Sequence, residues 1–471
     1  VVNWEMDISF LEWNEDEPLE IDPKYFYEEE DDGYEILEDG GEAIFTLQEI
    51  VKYCLKPTIF DGAHHVGRIL LCCLIFRISS LTFGISEKLV HLLSISTGIY
   101  LLFLMFNSVW YYMVIASVLG YCILKAANKC SPEKQGYITF FTVLAVIMSC
   151  EFFLSPHEWH SIRGCQMLIA MRIISVSFDF STKSPLPDPV SILSYLLCPG
   201  TVIFGPWISY QDFNTNLKNS SINAQWVCKI IISAALGMFF LSISTCWAQY
   251  FIPQGSWKWS IAYRDALSFR SSHYFVSYIS EASSVLAGVY SQDLWRDSVT
   301  KPHYIEIPRS LVEIVIYWNM PLHHWFKHYV FKPVQPFGNG VAVIITYIVS
   351  AVLHGVNFQL SAVLLSLGYY TYVEHSIRLK LANIFNACIG ARMCKKCDHK
   401  YQSSHPVVII TNLFLSSLTL FHLAYLGLMF DSQSSGEDTG YDMLHTLNKW
   451  KHLGFASHWL MLTTHIIHCV I

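Results

Sequence analysis

The sequence predicts an all-α polytopic membrane protein with about nine to eleven transmembrane helices, and three observations carry that prediction. Hydrophobic residues make up 53% of the chain and charged residues only 14%, against about 25% charged in a soluble domain. Apolar windows of about 20 residues, the length that spans a bilayer, recur with polar breaks between them. Acidic charge is concentrated outside those windows: residues 1–50 hold 18 of the 38 acidic side chains but only Lys24 of the 30 basic ones. The net charge of −8 therefore hides a mildly basic membrane body.

Taken in order, residues 1–50 include the run Glu28-Glu29-Glu30-Asp31-Asp32 and carry too few apolar side chains to offset the entropy of ordering. They read as a disordered acidic arm, and they lack the basic start and apolar stretch of a secretory signal peptide. Residues 60–471 form the membrane domain. Its spans are expected near 66–84, 88–106, 108–124, 136–154, 190–211, 226–250, 268–290, 340–359, 361–377, 407–430 and 454–471. Two stretches fit that pattern badly. The segment 156–181 mixes His160, Arg163, Gln166, Arg172 and Asp179 into apolar sequence, and 301–335 contains Pro302, Pro308, Pro321 and Pro333. Backbone of that kind survives at membrane depth where protein or a water-filled cavity satisfies it, so both read as re-entrant or amphipathic pieces beside a central cavity.

Basic loops set the orientation. Lys125, Lys129 and Lys134 mark one cytosolic loop, and Arg378, Lys380, Arg392, Lys395, Lys396 and Lys400 mark another. The acidic loop with Asp431, Glu437, Asp438 and Asp442 then falls on the lumenal side, as does the arm. Asn219-Ser-Ser221 is a glycosylation sequon if its loop is lumenal. No internal repeat is visible, which weighs against the inverted-repeat transporter folds. The 14 cysteines are scattered and show no disulfide framework. Cys394-Lys-Lys-Cys397-Asp-His399 has half of a zinc-site spacing and lacks an evident second half other than Cys388 or His405. In a basic loop it reads as free or S-acylated thiols, and no metal is expected.

The chemistry is sought in the charged and polar groups that interrupt apolar runs. His354 stands inside an otherwise apolar run from Val341 to Val356. An ionisable residue there is costly and marks a functional site by default, although an interhelical bond accounts for it as well. A neutral imidazole with a free ring nitrogen is the form a general base requires. Asn319 precedes Pro321, which interrupts any helix. Its amide can donate to an oxyanion or simply occupy a turn. Asp179 reads either as a charged cavity wall or as a folding partner of Arg172 or Arg163.

Trp318-Asn-Met-Pro321 followed by Leu353-His-Gly355 resembles the Asn and His pair of the membrane-bound O-acyltransferase (MBOAT) family. Arg163-Gly-Cys-Gln-Met, Phe178-Asp179, Phe204-Gly-Pro-Trp-Ile-Ser209, Ser272-His-Tyr-Phe-Val276, Ile307-Pro-Arg-Ser310, Phe421-His-Leu-Ala-Tyr-Leu-Gly427 and Ala456-Ser-His-Trp459 are similar to its protein-acylating branch. The acidic arm lies outside these blocks. The resemblance implies an MBOAT-type bundle around a central tunnel. It also implies transfer of palmitoleoyl from palmitoleoyl-CoA to a serine of Wnt proteins in the endoplasmic reticulum membrane, with no cofactor beyond that donor. His354 takes the catalytic-histidine position and Asn319 its partner. Acyl-CoA enters from the cytosolic face and Wnt from the lumenal face.

Coenzyme A phosphates call for cations, and Arg309 is the first expectation, followed by Lys301, Lys327 and Lys332, with Trp318 beside them. Snorkelling explains any one of these equally well. His422, Tyr425, Ser272 and Asp179 are expected along the substrate channel, with an interhelical bond as the alternative for His422. Membrane lipids are expected partners and nucleic acid is not. A lysophospholipid acyltransferase with the same His and Asn, or a transporter or scaffold without chemistry, remain the competing readings.

Overall fold

A computed structural model describes residues 46–81, 86–180, 185–219, 222–291, 293–355, 357–394, 397–429 and 443–471. Most of the acidic arm, the acidic loop at 431–442 and the end of the sequon lie outside the described residues. The described fold is all-α, and seven of its helices are long and apolar enough to cross a membrane.

The first helix, α1 (Leu47–Ser80), begins at a capping box. The Thr46 hydroxyl accepts from the Glu49 N–H, and the Glu49 carboxylate accepts from the Thr46 N–H, satisfying donors that have no partner inside the helix. The helix itself starts at Leu47. Then come α2 (Glu87–Phe106), α3 (Tyr111–Cys130) and α4 (Gln135–Phe153).

The next two elements overturn expectations. Residues 156–181 are not a re-entrant piece but a 24-residue helix, α5 (Pro156–Asp179), started by the Ser155 cap and Pro156. Its most apolar window is 78% buried, against 22–39% for the other six spans. Its polar residues are tolerated because protein surrounds them. Gln166 donates to the Tyr112 carbonyl at 3.3 Å, and Ser177 and Gln135 exchange side-chain to backbone bonds. Among the described residues Arg172 pairs with no carboxylate. Its guanidinium donates to the carbonyls of Tyr195, Leu196 and Thr201 at 3.2, 3.0 and 2.6 Å.

The first two carbonyls end α6 (Pro189–Leu196) and the third lies in the turns that follow, so the expected span at 190–211 is in fact an eight-residue helix followed by turns. Pro199, Gly200, Gly205 and Pro206 interrupt it, with a cis bond at Gly205–Pro206. Arg172 supplies the donors that the broken backbone needs at depth.

An amphipathic α7 (Tyr210–Asn219) leads to α8 (Ala224–Phe251) and α9 (Lys258–Leu286), which pack along each other. Between them the Lys229 ammonium meets the Glu281 carboxylate at 2.5 Å with both side chains buried. Burial without such a partner would cost several kcal/mol (about 3–5). The stretch 301–335 is broken as expected, into α10 (His303–Glu306), α11 (Leu311–Trp318) and α12 (Met320–Phe326), the last continued by a wider helical turn, Lys327–Phe331, and by Lys332–Val334. Five helices complete the bundle: α13 (Asn339–Leu353), α14 (Phe358–Phe385), α15 (Pro406–Gly427), α16 (Met443–His452) and α17 (Ala456–Val470). A disulfide, Cys54–Cys246, ties α1 to α8 across 192 residues, a pairing that the scattered cysteines did not reveal.

Candidate active site

A cavity of about 1010 Å³ runs between α9, the α11–α12 break, α13, α14 and α15. On α13 it is lined by Asn339, Val343, Thr346, Tyr347 and Ser350, which share one helical face. On α14 the lining runs from Val363 through Leu367, Thr371 and His375 to Asn383. At 1.5 Å per residue that face is about 30 Å long. Its two ends differ in character. Lys380, Asn383, Arg392 and His468 gather at the C-terminal end of α14, where the Lys380 ammonium donates to the His468 carbonyl at 2.9 Å. Leu423 and Leu426 with Val363 make the other end apolar.

Trp318 and Asn319 both line this cavity. Asn319 is held from two sides. Its Oδ1 accepts the Leu322 N–H at 3.1 Å, capping α12, which leaves its amide hydrogens to other partners. The neighbouring Met320 N–H donates to the Val299 carbonyl at 2.8 Å, while the Val299 N–H donates to Glu281 at 3.0 Å. The buried Lys229–Glu281 pair thus fixes the backbone beside Asn319. Arg270, also in the lining, makes a two-pronged pair with Glu306 at 2.8 and 2.9 Å, to which Tyr274 adds its hydroxyl.

His354 closes the C-terminus of α13. Its N–H donates to the Ser350 carbonyl at 3.1 Å, so the imidazole lies one helical turn beyond the cavity-lining Ser350. The ring is buried, 5% exposed, and its Nε2 has no hydrogen-bond partner among the described residues. Gly355 follows with φ +87°, and a Cβ there would lie 2.7 Å from Glu151 Oε2. That oxygen accepts the Trp159 indole N–H at 2.5 Å. Only glycine fits this turn readily, and its closeness to the Glu151–Trp159 pair sets where His354 stands.

The other expected residues divide. Lys327 lines the cavity. Arg309 does not, because its guanidinium donates to the Gly390 and Cys388 carbonyls at 3.0 and 2.9 Å. Lys301 lies over the Tyr317 ring at 5.9 Å, and Lys332 sits beside His328. Besides Arg270, which Glu306 already pairs, the cations that join Lys327 in the lining are Lys380 and Arg392, which the sequence marked only for orientation. Ser272 returns its hydroxyl to the Phe269 carbonyl of its own helix. The next residue, His273, was overlooked: its ring stacks on Trp318 at 4.5 Å and its Nε2 lies 3.0 Å from the Trp318 carbonyl.

His422 bonds Ser457 at 2.7 Å and Tyr425 bonds His458 at 3.0 Å, so both join α15 to α17. Asp179 is exposed at the end of α5, and its carboxylate accepts from Tyr329 at 2.9 and 3.0 Å. It pairs with neither of the arginines expected for it.

A polytopic all-α bundle and a long cavity with a cationic end, with Asn319 in its lining and His354 one turn beyond Ser350, fit one class. The chain belongs to the membrane-bound O-acyltransferase family, whose profile matches residues 92–397, and it is a membrane-embedded acyltransferase. Among its relatives, the protein-serine O-palmitoleoyltransferase porcupine of Homo sapiens is 35% identical over 444 residues, covering 88% of this chain and 95% of the relative. The protein of the same description from Anopheles gambiae is 32% identical over 469 residues, with 90% and 94% covered. Lysophospholipid acyltransferase 1 of Arabidopsis thaliana is 24% identical over 319 residues, with 56% and 68% covered.

Proposed function

We propose that this protein transfers palmitoleoyl from palmitoleoyl-CoA to a serine hydroxyl of a Wnt protein in the endoplasmic reticulum membrane. The observation that carries the reading is the cavity, apolar along its body with Lys327, Lys380 and Arg392 in its lining. This shape and charge suit a donor made of an apolar chain on a phosphate-bearing carrier. Similarity over nearly the full length to proteins named as palmitoleoyltransferases favours a protein serine as acceptor over a lysolipid.

The neutral His354 Nε2 accepts the serine proton as the serine oxygen attacks the thioester carbonyl. The carbonyl electron pair moves onto oxygen, where the Asn319 amide can donate to it. Collapse breaks the C–S bond, and the imidazolium returns its proton to the leaving thiolate. The products are an acyl ester on serine and free coenzyme A.

The test is transfer of tagged palmitoleoyl from coenzyme A to a Wnt hairpin peptide by purified wild type and folded His354→Ala. Loss of about 10²–10⁴ in rate is expected. Undiminished transfer by the variant would remove His354 from the role of base. Transfer to lysophospholipid in preference to peptide would replace the acceptor.

A further inference from the structure

The loop between α14 and α15 brings together four groups that the sequence separates. Cys388, Cys394, Cys397 and His399 place their ligand atoms within 4.8 Å of one another. Cys388 is buried and the other three are half-buried. The His399 Nδ1 lies 3.4 Å from Cys397 Sγ and 3.9 Å from Cys394 Sγ. A tetrahedral zinc site with Zn–S of about 2.3 Å and Zn–N of about 2.0–2.1 Å sets its S···N edges at about 3.5 Å. We propose that this cluster is a structural zinc site, with three thiolates and one imidazole closing the coordination shell. It clasps the loop that carries Arg392 into the cavity lining.

The second half of the site, absent from the Cys394–His399 spacing, is Cys388, and the protein body holds it in place. Its N–H donates to the Tyr401 carbonyl at 2.9 Å, and its carbonyl accepts from Arg309 and Asn412 at 2.9 and 3.2 Å. Arg309 also holds Gly390, Arg378 holds Ile389 and Ser310 holds Ala391. One ligand is thus built into the bundle, while the other three sit on the stretch between Arg392 and Lys400. Zinc would join that stretch to the fixed residue.

Charge and redox state agree with a metal. Three thiolates and Zn²⁺ sum to one negative charge, which suits a loop region carrying Arg378, Lys380, Arg392, Lys395, Lys396 and Lys400. A loop so basic marks the cytosolic face, where thiols stay reduced. The disulfide sits at the opposite end of the bundle. Gly427, at the far end of α15, packs on Ala266 near the start of α9, beside the turn from α8 that carries Cys246. A sulfur-rich tetrahedral donor set with no open position selects zinc over harder cations and assigns it a structural role.

The test measures zinc in the full-length chain purified in detergent without chelator, together with titration of the metal-stripped chain with zinc alone. About one zinc per chain is expected, removed in Cys397→Ser and His399→Ala and retained in Cys228→Ser. In wild type, chelation should expose the three thiols to a maleimide probe and lower the unfolding midpoint. A monodisperse wild type that holds no zinc, and takes up none when titrated, overturns the proposal. So do hydroxylamine-sensitive acyl groups on Cys394 and Cys397. These readouts need no acyl acceptor, so they stand or fall separately from the proposed reaction.

Discussion

Asn319 offers the most informative perturbation, because its two side-chain ends do different things. The Oδ1 caps α12 by accepting the Leu322 N–H at 3.1 Å. Loss of such a cap costs about 1 kcal/mol, too little to unfold the bundle. The amide Nδ2 is the group proposed to meet the carbonyl oxygen, and loss of a donor in that position costs about 2.7–4 kcal/mol, or 10²–10³ in rate. Three substitutions separate the roles. Asn319→Asp and Asn319→Ser keep an oxygen acceptor for the cap and lose the amide donor, whereas Asn319→Ala loses both. All three should lose about 10²–10³ in transfer rate, and only the alanine variant should also unfold at lower temperature. The assay is single-turnover transfer to the peptide, with unfolding followed by tryptophan fluorescence. Near wild-type turnover by the aspartate and serine variants would refute the reasoning and leave Asn319 as a helix cap.

Glu281→Ala strands the Lys229 ammonium in a buried site and leaves the Val299 N–H without its acceptor. Destabilisation of about 3–5 kcal/mol is expected, much of it recovered by adding Lys229→Met. An unchanged unfolding midpoint for the single variant would mean that water reaches the pair. Gly355→Ala puts a Cβ 2.7 Å from Glu151 Oε2 at φ +87°, a backbone cost of about 1–2 kcal/mol before any clash is relieved. Because the strain falls beside His354, turnover should fall by about 10² while the chain stays folded. Normal turnover would show that the turn does not position the imidazole.

Much of this protein is legible in its sequence, because the bilayer reduces span-finding to a local question. Apolar residues over about 20 positions identify a span whatever lies beside it, which is why the helices from Glu87 to Phe153 and α15 fall near where composition predicts, whereas α1 starts well before its expected span at 66–84. The Trp318–Pro321 and Leu353–Gly355 motifs are local in the same way, and the first lies in the cavity lining. Local reading failed where a distant group decided the outcome. Residues 156–179 form a full helix because Arg172 and Gln166 find carbonyls on other elements. The 190–211 stretch ends at Leu196 because Arg172 can satisfy the broken backbone. Arg309 looked free for phosphate until the fold gave its guanidinium to Gly390 and Cys388.

Membrane residence and the run of most spans are therefore legible in the chain alone, and its motifs single out Asn319 and His354 as candidates. Hydrophobic transfer energy and backbone interruption are properties of short stretches. Only the tertiary structure decided which cations face the cavity, that Glu281 anchors the Asn319 segment, that Cys54 meets Cys246, and that Cys388 completes a four-ligand cluster. Each of these is a pairing between residues remote in the chain, and satisfying a buried polar group depends on what the fold brings within about 3 Å of it.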